Sequence, residues 1–500
     1  MTRVVLLGAP PGPDTSPTGL RLAALPGNPS VGERLRSQVL SLDPQAVTID
    51  AADTAAALRQ LADVAESATE SLFIIPENSV IHDELIYQIT KAKRGALALV
   101  AKVPRQEGDD AEERDIVPIE EAEPEIGSDT LEGLPVRSRA GKSRVVSVGT
   151  AVHALTRPNT VLLGPLHISA RNAPVLAETC RALADMSFGA DDDLTQLIVF
   201  GLVRNGVSVG IRGRRDLFYR RVFTQEEVNE SGAELAGMDE DRARLDNAVK
   251  GADGFFTTYF VSTYSRFIAR WAARRGLTPN QVTLISIALG VLSAVCFATG
   301  QRPFMVLGGV LIYFAFVFDC VDGQVARYAR KFGVLGAWLD ATFDRFKEYV
   351  VFAGLAVGYV VTGNGDDIWI LALVAISLQS VKHLLDFSFG AANRRKPPAK
   401  LPTLDLDAPS DKPLRKALEQ RKVERSQGIR GVLKMWTKAG RFRSVYWARK
   451  MIVFPIGERF AAIAITAALF DARITFLTLV IWGSVAALYT LTGRVMRSLA

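Results

Sequence analysis

Phe318-Asp319-Cys320-Val321-Asp322-Gly323 ends one long apolar run, and Gly336-Ala337-Trp338-Leu339-Asp340-Ala341-Thr342-Phe343-Asp344 begins another. A carboxylate inside a membrane span costs at least ~2.5–3.5 kcal/mol, so four together require compensation. Asp319 and Asp322 are three residues apart and Asp340 and Asp344 four apart, so each pair shares one helix face. Consecutive antiparallel helices joined by about a dozen residues bring the two pairs together. Clustered carboxylates repel unless cations neutralise them. All-oxygen ligation without His or Cys selects Mg²⁺ or Mn²⁺, and four acids suffice for two ions, an arrangement suited to displacement at phosphorus. Gly323 permits close backbone approach, Ala326 is small, Arg327 offers a planar fork for phosphate, and Gly336 opens the opposite helix. Together they describe a slot for a diphosphate.

Around this pair of stretches the chain is apolar. Of its 500 residues, 276–301 and 474–493 contain no charge. Twenty such residues span roughly 30 Å of hydrocarbon, which excludes a wholly soluble protein. Prolines 10, 11 and 13 cut short the apolar run near Met1, so no early signal peptide is expected. Six spans are expected, near 281–300, 303–322, 336–361, 368–388, 451–470 and 474–493. The loop 391–450 carries 17 Lys/Arg against 5 Asp/Glu, a net +12 in a chain of net +6. It is expected on the cytoplasmic side with the N-terminal region, in contact with anionic lipid. No recognition motif accompanies it, so nucleic acid is not an expected partner. Over 255–275, Phe260, Tyr264, Phe267, Ile268 and Trp271 recur at helical spacing among Arg266, Arg270, Arg274 and Arg275. That pattern predicts an amphipathic helix lying in the membrane interface.

Residues 1–225 alternate short strands (Val4–Leu7, Leu72–Ile75, Val145–Val148, Val161–Leu163, Ser208–Ile211) with helical segments, which predicts an α/β domain with a parallel sheet. Residues 107–132 hold twelve acidic side chains against Arg114 alone and read as a solvated insertion. A helical linker and the interfacial helix fill 226–275, and the membrane domain 276–500. Cys180, Cys296 and Cys320 are widely spaced without a CxxC, so neither a disulfide framework nor a zinc site follows.

Asp319-xx-Asp322-Gly323-xx-Ala326-Arg327, eight residues, then Gly336-xxx-Asp340-xxx-Asp344 resembles the full signature of the CDP-alcohol phosphotransferases (CDP-alcohol phosphatidyltransferases). Thr278-Pro279-Asn280 ahead of the first span is similar to the start of that family's membrane domain. The resemblance covers about residues 255–495. It implies that Asp319, Asp322, Asp340 and Asp344 bind the metals, that Asp344 also deprotonates the attacking alcohol, and that Asp322, Gly323, Ala326, Arg327 and Gly336 line the CDP site. It also implies a CDP-linked donor, an alcohol acceptor, release of CMP and a homodimer. Lys382, Arg394 and Arg395 are candidates for the acceptor site. Glu458 and Arg459 interrupt the fifth span and either pair with other spans or line the cavity.

Residues 1–225 resemble, distantly, the nucleotidyltransferases fused ahead of this domain in some relatives. Leu22-Ala23-Ala24-Leu25-Pro26-Gly27 is similar to their glycine-rich loop, and Leu72–Asn78 to the strand bearing a metal-binding Asp. Leu25 replaces the first glycine and Glu77-Asn78 the acid, so the resemblance implies an inactive relative. The expectation is therefore a nucleotidyltransferase-like α/β domain followed by an interfacial helix and an all-α domain of six transmembrane helices. It is expected to act as a multi-pass transferase of phospholipid synthesis in the cytoplasmic membrane, using CDP-diacylglycerol, or alternatively a soluble CDP-polyol such as CDP-inositol. The rivals of another class are a divalent-ion transporter and a non-catalytic scaffold.

Overall fold

The computed structural model describes residues 2–8, 17–51, 53–92, 95–102, 130–131, 134–135, 138–140, 144–188, 192–214, 217–249, 253–395, 401–424 and 443–499. They fall into two compact units, 1–239 with 397–424, and 240–396 with 425–500.

In the first unit the strands are β1 (Thr2–Leu7), β2 (Val47–Ile49), β3 (Ser71–Pro76), β4 (Ser79–Ile81), β5 (Ala96–Lys102), β6 (Thr130–Leu131), β7 (Leu134–Pro135), β8 (Ser138–Ala140), β9 (Val145–Val148), β10 (Thr160–Ile168), β11 (Val209–Gly213) and β12 (Tyr219–Arg221). The main sheet runs β11-β5-β10-β3-β1-β2. It is mixed, not parallel: β10 lies antiparallel to both β3 and β5, while β1 is parallel to β2 and β3. The β8–β9 hairpin precedes β10 and pairs with it, which spares β10 a helical crossover. All nine β10 residues are buried, as a strand covered on both faces requires.

The helices of this unit are α1 (Val31–Leu40), α2 (Thr54–Glu66), α3 (Asp83–Thr90), α4 (Ala173–Ala184), α5 (Leu194–Arg204) and α6 (Gln225–Gly237). Ser30 and Glu33 form a capping box on α1, and Thr224 and Glu227 another on α6. Val228 and Leu235 of α6 join Leu22, Val31, Val80, Phe218 and Val222 in one apolar cluster, so this unit runs past residue 225. Of the acidic stretch 107–132, only Thr130 and Leu131 lie within the described residues, where they pair with Leu134–Pro135.

Residues 401–424, expected as part of a basic loop, belong to this same unit. Leu401 and Leu414 are buried in its core, with Leu404, Leu406 and Leu418 packed against it. Asp411 accepts hydrogen bonds from Ser147 Oγ (2.7 Å), Thr156 N (2.8 Å) and Thr156 Oγ1 (2.6 Å). Arg204 Nη1 donates to the Asp405 and Leu406 carbonyls at 2.7 and 2.9 Å.

The second unit is helical: α7 (Glu240–Ala248), a π turn (Thr257–Val261), α8 (Ser262–Arg274), α9 (Pro279–Ala298), α10 (Arg302–Tyr328), α11 (Val334–Val361) and α12 (Ile368–Arg395). α13 (Lys412–Glu424) lies in the first unit, and the second continues with α14 (Arg443–Ile452), α15 (Ile456–Leu469) and α16 (Ala472–Leu499). Among the described residues, four helices (α9, α10, α12 and α16) are long and apolar enough to cross a membrane, or five if α14 and α15, bent by 71°, count as one. α11 has 28 residues, about 42 Å of helix, but its first fifteen carry Asp340, Asp344, Arg345, Lys347 and Glu348. The expected fifth span at 451–470 is interrupted: Phe454 has φ 54° and Pro455 follows, leaving a 14-residue helix. Leu284, Val295, Leu373, Ile481 and Leu488 are exposed on these helices, which suits lipid and not water.

In α8 and the π turn before it, Phe260, Phe267 and Trp271 are exposed, but Tyr264 and Ile268 pack toward the core, with Tyr264 Oη 2.5 Å from Tyr313 Oη. Its arginines are engaged: Arg266 with Asp246 at 2.5 Å, and Arg270 and Arg274 with Asp241 at 3.2 and 3.1 Å.

Candidate functional site

Thr278 caps α9, with Pro279 at its first position and Gln281 completing a capping box. The helix hairpin α9–α10 then returns the chain, and α10 ends with Asp319, Asp322 and Arg327 in its last turns. Five residues later α11 begins, placing Gly336 in its first turn and Asp340 and Asp344 in the next two.

Asp319, Asp340 and Asp344 each offer a carboxylate oxygen, and these atoms lie within 4.8 Å of one another. Asp322 is not in this group. It is 4% exposed and accepts from Thr283 Oγ1 of α9 at 2.6 Å. Two cations of α11 stand against the cluster: Arg345 Nη1 lies 3.8 Å from Asp344 Oδ2, and Lys347 reaches it from inside the protein. Lys347 is fully buried, and its Nζ contacts Asp319 Oδ1, lies 3.3 Å from Asp344 Oδ1 and donates to Ser286 Oγ at 2.8 Å. The Asp344 contact lacks hydrogen-bond geometry, so that buried oxygen has no donor. Three converging carboxylates, one with an unsatisfied buried oxygen, fit a hard divalent cation.

The remaining signature residues lie on the same two helices. The Arg327 guanidinium lies beside Gly323, where a Cβ would stand 3.4 Å from Nη1 and Nη2, and Arg327 Nε donates to the Ala248 carbonyl. A Cβ on Gly336 would lie 2.9 Å from Asn280 Oδ1, so the small residue clears the start of α9. Ala326 is partly buried.

Lys382 is 5% exposed, and its ammonium donates to the Val453 carbonyl at 2.6 Å, with the Phe454 carbonyl at 3.4 Å. The side chains of Arg394 and Arg395 lie outside the described residues. Arg459 pairs with Glu348 of α11, Nε to Oε1 at 2.8 Å and Nη2 to Oε2 at 3.3 Å, and also donates to the Phe454 carbonyl. His383 Nε2 is 3.8 Å from Glu348 Oε2, and the Gln379 amide oxygen, oriented to satisfy its neighbours, accepts from Arg459 and His383. Glu458 instead accepts from Phe256 N at 3.2 Å, at the start of the segment leading into α8. Thr283, Glu348, Gln379 and His383 escaped the sequence reading. The available signal was spacing: Lys347 and Glu348 follow Asp344 by three and four residues, on the same helix face.

In the first unit, Leu22–Gly27 does not leave a strand end. The loop leaving β1 starts at Gly8, whose N–H donates to the Ile49 carbonyl, and 9–16 lie outside the described residues. Leu22–Gly27 forms a separate turn leading to the α1 cap, with Gly27 at φ 81°. At the end of β3, Glu77 pairs with Arg36 at 3.0 Å. Asn78 is fully buried, donating to the Val222 carbonyl and accepting from Arg221 Nε, both at 3.1 Å. Arg221 also pairs with Asp193, which caps α5.

Residues 276–403 match the CDP-alcohol phosphatidyltransferase family. The chain is similar to the bifunctional IPC transferase and DIPP synthase of Archaeoglobus fulgidus, 32% identical over 148 residues, 29% of each chain. It is also similar to the phosphatidylinositol phosphate synthases of Streptomyces avermitilis (33% identical, 24% of this chain and 50% of that one) and Mycolicibacterium smegmatis (42% identical, 18% and 40%). The matches thus span half or less of each relative's length. The inositol-1-phosphate CTP transferase structure from T. maritima aligns at 11% identity and TM-score 0.29, covering 47% of this chain and 97% of that one.

Proposed function

We propose, from the CDP-alcohol phosphatidyltransferase domain that the C-terminal part of this chain carries, that the protein moves a substituted phosphate from a CDP-alcohol to an acceptor alcohol and releases CMP. The observation that carries this reading is the meeting of Asp319, Asp340 and Asp344 within 4.8 Å, between two helices that also bear Gly323, Arg327 and Gly336. The donor's diphosphate lies along Gly323 and Ala326, beside the Arg327 fork whose Nη1 and Nη2 face Gly323. Gly336 contributes the opposite wall. Asp344 takes the proton of the acceptor hydroxyl, whose oxygen bonds to the β-phosphorus as the bond from that phosphorus to the bridging oxygen breaks. The electron pair and the bridging oxygen leave with CMP. Asp319, Asp340 and Asp344, with Asp322 as fourth ligand, would hold Mg²⁺ or Mn²⁺, two ions at most, which would supply charge stabilisation on the entering and leaving oxygens.

The donor assigned first is CDP-diacylglycerol, in phospholipid synthesis. The similarity to phosphatidylinositol phosphate synthases favours an inositol-bearing substrate, and the α/β unit ahead of the membrane helices keeps a soluble donor such as CDP-inositol in second place. The acceptor's charged group is assigned to Arg394, Arg395 and Lys382. In this reading α11 and the bent α14–α15 pair complete six spans, α8 and the π turn before it rest in the interface with Phe260, Phe267 and Trp271 toward lipid, and the protein is a homodimer of the cytoplasmic membrane. The 17 Lys/Arg of residues 391–450 support a cytoplasmic side for that loop, the α/β unit and the carboxylates. The Asn78–Arg221–Asp193 network, which fills the place of a metal-binding acid, supports a non-catalytic α/β unit.

The test is CMP release from purified protein in lipid vesicles with Mg²⁺, CDP-diacylglycerol or CDP-inositol being offered against a panel of alcohols. Acceptor-dependent release is expected, falling by at least about a hundredfold in Asp344→Asn, as for loss of a general base. Release that persists in Asp344→Asn would remove that residue from the chemistry, and no release with any pair would leave a scaffold.

A further inference from the structure

We propose that Lys347 is a resident counter-ion of the carboxylate cluster: it holds Asp319 and Asp344 together while no divalent ion is bound, and surrenders part of that contact when one arrives. This rests on the reading of Asp319, Asp340 and Asp344 as metal ligands. A fully buried ammonium with no function in the cluster would be expensive to keep, and here three helices are shaped around it. Gly290 of α9 clears the path of the stem: a Cβ there would lie 2.9 Å from Lys347 Cγ and 3.2 Å from Cδ. One turn earlier, Ser286 Oγ accepts from Nζ at 2.8 Å while donating to the Ala315 carbonyl of α10 at 2.8 Å. The ammonium is thereby delivered between Asp319 of α10 and Asp344 of α11.

The consequence has a definite sign. A positive charge touching two ligand carboxylates opposes a second cation at the same oxygens, so Lys347 weakens metal binding. It also relieves the repulsion among the carboxylates of the metal-free protein, so it stabilises that state. A residue with a merely structural role would do the second and not the first.

The experiment uses the full chain purified in nanodiscs and titrated with Mn²⁺, the free ion being read by its electron paramagnetic resonance signal. Lys347→Met keeps the stem and removes the charge. It is expected to bind Mn²⁺ roughly tenfold or more tightly than the parent, as for removal of a like charge a few ångströms from the ion. Its metal-free melting temperature is expected to fall and to recover with Mn²⁺. Gly290→Ala displaces the stem while keeping the charge and serves if Lys347→Met fails to fold; it is expected to tighten Mn²⁺ binding in the same direction. Unchanged or weaker Mn²⁺ binding in the variant that folds overturns the proposal. A parent protein that binds no Mn²⁺ overturns the metal-ligand assignment itself, and this inference with it.

Discussion

Glu348 shows what a carboxylate needs in order to sit fully buried in the helical unit. It has the Arg459 fork on both oxygens and His383 beside it, and Arg459 in turn has Gln379 and the Phe454 carbonyl. Removing one partner of such a pair costs about 3–5 kcal/mol, because the other charge stays buried alone, whereas removing both costs far less. Arg459→Met is therefore expected to lower the melting temperature in detergent markedly, and Glu348→Gln with Arg459→Met to recover much of the loss. Equal losses in the single and double variants would show that the pair is not coupled. In the α/β unit, burial would raise the Asp193 carboxyl, but Arg221 and hydrogen bonds from Thr195 and Gln196 hold it below its ordinary 3.8. A depressed carboxyl gives stability that is present above the ordinary value and lost as pH falls through the lower, folded one. Acid opening of residues 192–204, followed by hydrogen exchange, is expected to begin below about pH 4 and to lose this dependence in Asp193→Asn. Cys180, which burial pushes up to about 12, is expected to resist alkylation until the unit opens.

Two features of the helical unit are fixed by its backbone. α9 and α11 cross so closely that a Cβ on Gly354 would meet the Ala294 carbonyl oxygen at 2.3 Å, and one on Gly358 the Phe297 carbonyl oxygen at 2.0 Å. Glycines four apart on one helix face are the means by which membrane helices bring backbones together. The stop there is backbone, which cannot swing aside, so Gly358→Ala forces the helices apart. Such overpacking costs about 1–3 kcal/mol or more, and the expected outcome is a lower melting temperature together with weaker Mn²⁺ binding. Preserved Mn²⁺ affinity in that variant would mean that the crossing does not position Lys347 and the carboxylates. The other feature is the α14–α15 break. Phe454 in the left-handed region and Pro455 end one helix and start another, and the carbonyls freed at the bend receive Lys382 and Arg459.

At the scale of the whole chain, the α/β unit is discontinuous. Residues 401–424, from the segment between α12 and α14, supply Leu401 and Leu414 to its core and Asp411 to a buried set of donors. Asp411→Ala leaves the Thr156 N–H and two hydroxyls without their acceptor, a loss of about 3 kcal/mol or more. Protease cleavage of the α/β unit is expected to accelerate about a hundredfold in that variant under conditions where the parent resists, since each 1.4 kcal/mol is tenfold in the open population. No change would mean that the segment is an ornament on a self-sufficient unit.

Sequence by itself determined the local facts: the acid pairs on two helix faces, the glycines among them, the charge-free runs long enough to cross a membrane, and the strand–helix alternation of the first 200 or so residues. Each of these is a periodicity or a spacing within one element, and side-chain direction along a single helix or strand is set by its own backbone geometry. Only the tertiary structure decided which aspartate oxygens lie within 4.8 Å of one another and which partners they take: Asp322 Oδ2 accepts from Thr283, 39 residues away, while Lys347 reaches Ser286, 61 away. It also decided that Arg459 answers Glu348 and that Asp411 completes the α/β unit, pairings separated by 111 and 264 residues. Such partners are chosen by packing between elements, where one glycine's missing Cβ can open or close a path, and no period along the chain encodes that choice.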